Sequence, residues 1–296
     1  MSAAPTIHLV DATYELFRAY FGAPPRTAPD GREVGATRGL ALSLLYLLRE
    51  ERATHVACAT DHVIRSFRNR LWPGYKTDEG MDPALYGQFQ IAEDVMRAMG
   101  FVVWPMVEHE ADDALATGVH RFGDACEHIV VCTVDKDLAQ TVDGSRVIMS
   151  DRRRKTTMDE AGVVAKFGVA PRQIPDLLAL VGDTADGYPG IPGFGMKSAA
   201  AALVAFGRIE DIPEDPAKWP KTVRGAARLA ETLRDQREHA MLFKDLATLR
   251  LDVPMTETVA DLEWRGPTAE LAPLSESLGF GDLFERAEAV ARARAR

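Results

Sequence analysis

Two apolar spacings alternate along the first half of the chain. Short continuous runs read as buried strands: "TIHLV" (6–10), "THVACAT" (54–60), "FVVW" (101–104) and "EHIVVCTV" (127–134). Between them, apolar residues three and four apart predict helices over "YELFRAYF", over 36–51 and over 83–100, the last stopped by Gly100. "GAPPRTAPDG" (22–31) reads as a loop by its proline and glycine content. Strands alternating with helices predict an α/β fold with a mostly parallel central sheet flanked by helices. After about residue 158 the strand pattern fades. Helices are expected over 159–168 and 171–182, and a glycine-rich stretch (183–207) runs into an alanine-rich helix. A long amphipathic helix is expected over 221–242, with closing helices over 269–280 and 284–296.

The 296 residues suffice for one large or two modest domains, and 46% hydrophobic with 27% charged residues fits a globular protein. No run approaches the ~20 apolar residues of a membrane span. The N-terminus carries no evident signal peptide, so a cytoplasmic location without membrane partners is expected. Cys58, Cys126 and Cys132 lack zinc-ligand spacing and fit a reducing compartment.

Acidic residues gather where the predicted strands end. Asp11 and Asp61 close two strands, "EADD" (Glu110, Asp112, Asp113) opens a helix after a third, and Asp135 and Asp137 follow a fourth in "DKD". "GDTADG" adds Asp183 and Asp186. A lone strand-end Asp is more often a cap or turn former, and acids suit the positive end of a helix. Convergence is the stronger signal, because an open α/β sheet places its ligand site beyond the carboxyl ends of its strands. Two like charges 4 Å apart repel by roughly 4 kcal/mol at an effective dielectric of about 20, so water or a cation must offset the crowding. Hard cations such as Mg²⁺ and Mn²⁺ take oxygen ligands, and a metal pair can clamp a phosphodiester.

Two further segments suit nucleic acid. "GIPGFGMKSA" (190–199) sets Gly190, Gly193 and Gly195 before a helix, with Lys197 and Ser198 beside them. Glycines allow close approach to phosphate, and a helix N-terminus offers free N–H groups. The spacing is not that of a Walker loop. The segment looks like a helix–hairpin–helix device that holds the sugar-phosphate backbone; alone, it is also compatible with a plain interhelical turn. "SFRNRLWPGYK" (66–76) interleaves Arg68, Arg70 and Lys76 with Phe67, Trp72 and Tyr75, a mixture suited to single strands or to a helix with its rings in the core.

In this order the motifs resemble the 5′ nuclease family: the 5′→3′ exonuclease domain of bacterial DNA polymerase I and the flap endonucleases. The resemblance covers nearly the whole chain and implies a PIN-like nuclease core over 1–168 with a helical arch (about 62–82). It implies a helical DNA-binding region over 169–296, with a helix–three-turn–helix at about 175–207. By resemblance, Asp11, Asp61, Glu110, Asp112, Asp113, Asp135, Asp137, Asp183 and Asp186 are metal-site acids. The first five mainly serve one ion, and Asp135, Asp137, Asp183 and Asp186 mainly the second, with Asp113 near both. Lys76 and Arg18 match basic residues that act on the scissile phosphate. Arg68, Arg70, Tyr75, Gly190, Gly193, Gly195, Lys197 and Ser198 are the implied DNA contacts, with K⁺ at the hairpin loop.

The chain departs from the family pattern at Ala12, where the family usually has Gly, and at Thr60, where Phe is usual. Glu79 stands where an Arg commonly follows the arch lysine. The net charge is −9, from 35 basic and 44 acidic residues; without the nine proposed metal acids the two signs balance at 35 each. The expected activity is structure-specific 5′ nuclease and 5′→3′ exonuclease cleavage by two Mg²⁺ or Mn²⁺ ions. DNA with a 5′ flap, nick, gap or end is the expected partner, with RNA primers and a replication or repair polymerase and ligase beside it. A stand-alone monomer without a polymerase domain is expected. The alternatives are a junction- or flap-binding protein of the same fold that cuts weakly or not at all, and a ribonuclease of related architecture.

Overall fold

The computed structural model describes residues 4–294; the first residues of the chain and the last two of the predicted closing helix lie outside them. The chain forms two compact units. One takes the residues up to Ile64, Asp78–Thr133 and the chain from Leu251 onward; the other takes Arg65–Thr77 and Val134–Arg250. Each unit is therefore assembled from separated stretches of sequence.

The first unit contains four strands: β1 (Thr6–Asp11), β2 (His55–Asp61), β3 (Val102–Met106) and β4 (His128–Cys132). They lie in the order β3-β2-β1-β4, and each neighbouring pair is parallel. β1 is buried along nearly its whole length, which is why its sequence is apolar throughout instead of alternating. In register, Asp11 stands opposite Ala59, so β1 and β2 deliver Asp11 and Asp61 to the same edge of the sheet. The helices Gly35–Arg49, Gln88–Ala98 and Leu283–Arg294 join the core through Leu44, Leu48, Met96 and Leu283, packed with Val10 and Val56. The helix expected over 83–100 is interrupted at Gly87, giving Pro83–Tyr86 and Gln88–Ala98. Glycine is a poor helix former, and here it closes the first turn.

The second unit holds an antiparallel hairpin, β5 (Val147–Asp151) and β6 (Thr156–Met158), with the basic run 152–155 at its tip and Lys155 at φ 55°. Helices follow at Glu160–Phe167, Ile174–Val181, Met196–Phe206, Ala226–Asp235 and Arg237–Ala247. Leu177, Leu178, Leu203, Phe243 and Leu246 are buried among them.

Two expectations change here. The single helix over 221–242 is two helices, separated at Gln236 (φ −118°, ψ 23°). Arg237 supplies a reason, since its guanidinium is tied to the carbonyls of Ile209 (3.0 Å) and Ile212 (2.7 Å). The segment expected to form a helical arch has one four-residue helix, Arg68–Leu71. Among the described residues no helix is long and apolar enough to cross a membrane. The three cysteines are buried and form no disulfide among the described residues.

Candidate metal and phosphate site

In the first unit the acids are woven into the strand ends and the helix start. Asp11 caps the helix Ala12–Gly22: its Oδ1 accepts the Tyr14 N–H at 2.8 Å, and its Oδ2 accepts the Thr133 hydroxyl at 2.9 Å. Asp61 Oδ1 accepts the Ala111 N–H at 2.8 Å, which ties the end of β2 to the start of the helix Ala111–Phe122. Glu110 and Asp113 form the capping box of that helix, and Asp113 Oδ2 accepts the Glu110 N–H at 3.0 Å. Asp11, Glu110 and Asp113 are buried, whereas Asp112, on the first turn, is half-buried. The crowded acids of "EADD" thus cap a helix as well. A carboxylate oxygen has two lone pairs, so accepting one N–H leaves capacity for a cation.

Arg18 extends from the helix Ala12–Gly22 to the buried carboxylate of Glu15 and to the Ser43 hydroxyl (3.2 Å). Glu93 is a second buried acid in this unit. It accepts the Thr60 hydroxyl at 2.9 Å and pairs with His62 Nδ1 at 3.1 Å. Thr60, which stands where the resemblance implies Phe, is therefore paired with a polar partner inside the fold.

In the second unit Asp137, Asp183 and Asp186 each offer a carboxylate oxygen within 4.8 Å of the other two, and all three are buried. Asp137 opens a one-turn helix, while Asp183 and Asp186 sit on a tight turn in which Asp183 and Tyr188 exchange backbone hydrogen bonds. Burial, followed by the charges of Asp135, Asp186 and Asp183, pushes the Asp137 carboxyl well above the usual carboxylate range. Its Oδ1 is buried and has no hydrogen-bond partner. The Tyr188 hydroxyl is likewise buried without a partner, and burial, followed by the charges of Asp137, Asp186 and Asp183, pushes its pKa up. Asp135 is exposed, and its Oδ1 accepts the Asp137 N–H at 3.1 Å. Three mutually close oxygen donors, one with an orphaned buried oxygen, fit a hard divalent cation.

Two lysines enter this cluster. Lys136 Nζ pairs with Asp183 Oδ2. Burial pulls the Lys136 pKa down, but the Asp183 hydrogen bond and the charges of Asp137, Asp183 and Asp135 outweigh it and hold the pKa above its ordinary value. Lys76 Nζ lies 3.1 Å from Asp186 Oδ1, and its backbone N–H donates to the Asp186 carbonyl at 3.0 Å. Asn69 donates to the Lys76 carbonyl at 2.9 Å, and Trp72 Nε1 to the Gly187 carbonyl at 3.0 Å. Gly187 (φ 81°) permits this docking, because a Cβ there would fall 2.1 Å from the Gly74 carbonyl oxygen. Asn69, Trp72 and Lys136 were not assigned from sequence. "DKD" drew attention for its acids, and Asn69 works through backbone carbonyls that leave no pattern.

The implied DNA contacts divide into exposed groups and buried ones. Arg70, Gly193, Gly195 and Lys197 are exposed. Ser198 is half-buried, and its hydroxyl accepts the Gly195 N–H at 3.0 Å, closing the helix start. Arg68 needs correction as a DNA contact. It is 1% exposed, and its guanidinium donates to the carbonyls of Leu246 (2.8 Å) and Thr248 (3.3 Å), so it clamps the interior of the unit. Tyr75 is also buried and does not offer its ring to a strand. Gly190 is a packing glycine: at φ 69°, a Cβ would lie 2.3 Å from the Gly182 nitrogen.

Residues 6–168 match the N-terminal, resolvase-like domain of 5′-3′ exonucleases, and residues 169–270 match their C-terminal SAM-fold domain. The chain belongs to the 5′-3′ exonuclease family. Both domains of that family are matched in this chain, one after the other. DNA polymerase I of Pseudomonas aeruginosa is 34% identical over 290 residues, covering 95% of this chain and 31% of that protein. DNA polymerase I of Mycobacterium leprae is 33% identical over 260 residues, covering 86% and 28% respectively. The chain therefore spans about three-tenths of the length of these relatives. In fold it is similar to the 5′-exonuclease of bacteriophage T5 with zinc bound (TM-score 0.68, 18% identity, 97% of this chain and 98% of that one). It is also similar to the catalytic core of Rad2 in complex with DNA (TM-score 0.59, 15% identity, 98% and 93%).

Proposed function

We propose that this 5′-3′ exonuclease family member hydrolyses DNA phosphodiesters at 5′ ends, flaps and nicks, with its nine acids as divalent-cation ligands. The observation that carries the reading is the buried trio Asp137, Asp183 and Asp186, with Lys76 on Asp186. In this reading Asp11, Asp61, Glu110, Asp112 and Asp113 hold one cation, and Asp135, Asp137, Asp183 and Asp186 hold the other. Mg²⁺ or Mn²⁺ suits donors that are all oxygen. When bound, such ions lower the pKa of the attacking water and stabilise the leaving oxygen.

The protein's own groups position the substrate. Lys76 and Arg18 hold the scissile phosphate by charge-assisted hydrogen bonds. Cleavage leaves a 5′-phosphate and a 3′-hydroxyl. The helical region 169–296 binds the duplex, with Gly193, Gly195 and Lys197 on its backbone and K⁺ as a candidate ligand of the hairpin loop. Arg70 contacts the 5′ strand. RNA primers, a monomeric state, a cytoplasmic location and service to a polymerase and ligase belong to the same reading.

The test is incubation of the pure protein with a 5′-labelled flap duplex in Mg²⁺, Mn²⁺ or EDTA, alongside Asp137→Ala. Metal-requiring cleavage near the junction, absent in the variant, is expected. Undiminished cleavage by Asp137→Ala would overturn the site, and binding without any cut would favour the junction- or flap-binding alternative.

A further inference from the structure

The first unit carries a cavity of about 810 Å³ to which nothing in the nuclease reading assigns a use. It is lined by the helices Gly35–Arg49 and Leu283–Arg294 and by the segment around Glu263 and Trp264. The volume falls within the range of small-ligand pockets, which is about 300–1,000 Å³. Leu42, Leu45 and Val290 supply apolar lining. Four arginines also line it, Arg49, Arg52, Arg286 and Arg294, against one carboxylate, Glu263. That carboxylate is engaged by Arg265 at 3.2 Å, and Arg49 is paired with Glu50 at 2.6 Å.

Arg294 is the most enclosed of these cations by its contacts. Its Nη2 donates to the carbonyls of Leu48 and Ala53, and its guanidinium lies 5.1 Å from the centre of the Trp264 ring. Its Nη1 is buried and has no hydrogen-bond partner. No carboxylate pairs with Arg294 or Arg286 among the described residues, and burial holds the Arg294 pKa below its ordinary value. A desolvated cation without a counter-ion is costly, and an anion placed against it offsets that cost. Arg52 adds an independent sign. It occupies the left-handed region (φ 56°), a strained conformation for a non-glycine residue that tends to occur at ligand sites.

We propose that this cavity binds a small amphipathic anion, a molecule with an apolar body and a single carboxylate, phosphate or sulfonate head. The head pairs with Arg294 and Arg286, and the body lies on Leu42, Leu45 and Val290. Nothing in this inference depends on nuclease activity, so it stands or falls separately from the proposed function.

Two fluorescent probes that share an apolar body and differ in charge test it on the full chain. Anilinonaphthalene sulfonate carries an anionic head, and phenylnaphthylamine carries none. The expected result is saturable binding of one sulfonate probe per chain, with the neutral probe at least about tenfold weaker. Arg294→Gln and Arg286→Gln should each weaken the sulfonate about tenfold, the loss of one charge-assisted hydrogen bond. Circular dichroism checks the fold, and if Arg294→Gln unfolds the protein, Arg286→Gln carries the test. Absence of saturable binding, equal affinity for both probes, or an isotherm unchanged in Arg286→Gln would overturn the proposal.

Discussion

The ammonium of Lys76 lies 3.1 Å from Asp186 Oδ1, and the Lys76 backbone N–H is bonded to the Asp186 carbonyl. The lysine proposed to act on phosphate is thus positioned by the loop that carries a proposed metal ligand. In the metal-free protein its charge also offsets part of the repulsion among Asp137, Asp183 and Asp186. Lys76→Ala should lower single-turnover cleavage by about 10²–10³, the usual effect of losing one transition-state contact. Mn²⁺ binding by calorimetry should be unchanged or tighter, because an internal competitor has gone. Weaker Mn²⁺ binding in Lys76→Ala would contradict this arrangement.

The Tyr188 hydroxyl is buried without a partner, while its ring stacks on Phe243 with centroids 5.6 Å apart. Tyr188→Phe keeps the stack and removes the unsatisfied group. The metal-free variant should be more stable by about 1 kcal/mol, read from denaturant unfolding in EDTA. A loss of stability would show that the hydroxyl has a partner in solution.

Gly190 and Gly195 were assigned the same role from sequence, yet their surroundings differ. A Cβ at Gly190 meets backbone at 2.3 Å, with φ at 69°, whereas a Cβ at Gly195 meets nothing within 4 Å. Gly190→Ala should destabilise the fold by about 3 kcal/mol or more, through backbone strain and overpacking. Gly195→Ala should leave the melting temperature unchanged within a degree or so and show its effect in duplex binding. Equal melting temperatures for the two variants would refute the distinction.

This pair shows what the sequence conveys and what it hides. Strand runs and the acids at their ends were legible because burial on both faces makes a strand apolar throughout, as β1 is, and because a strand-end Asp interrupts such a run. The break at Gln236 was not, because neither glycine nor proline marks it and its anchor, Arg237, reaches carbonyls at Ile209 and Ile212. Arg68 was read as a DNA contact because its basic neighbours and rings suit a strand. Its actual partners are main-chain carbonyls at Leu246 and Thr248, which carry no side-chain signature. Lys136 lay in plain view inside "DKD", but its pairing with Asp183 depends on how the second unit folds.

Glu210 gives a pH-dependent prediction away from the nuclease centre. Burial raises its pKa, but the hydrogen bond and charge of Lys244 outweigh that and lower it below its ordinary 4.5. Lys244 Nζ sits 2.8 Å from Glu210 Oε2 and 2.8 Å from Asp176 Oδ1. A depressed folded-state pKa means that the stabilisation is present above the unfolded value and is lost as pH falls through the folded one. Wild type should therefore melt slightly above Glu210→Gln at pH 7, on the order of 1–3 °C for a partly exposed pair. The difference should start to shrink as pH falls below the unfolded carboxylate value of about 4.3 and vanish once pH is below the lower folded-state value. A gap that widens with acidification would contradict the sign.

The central claim is that acids of each unit are needed for phosphodiester cleavage. The most direct test is single-turnover cleavage of a 5′-labelled flap duplex in Mg²⁺ by Asp11→Asn, from the first unit, and Asp183→Asn, from the second, with duplex binding measured in parallel. Each substitution alone should reduce cleavage by at least about 10³-fold while duplex affinity stays within a few-fold of wild type. Cleavage that persists near the wild-type rate in either variant would contradict the account.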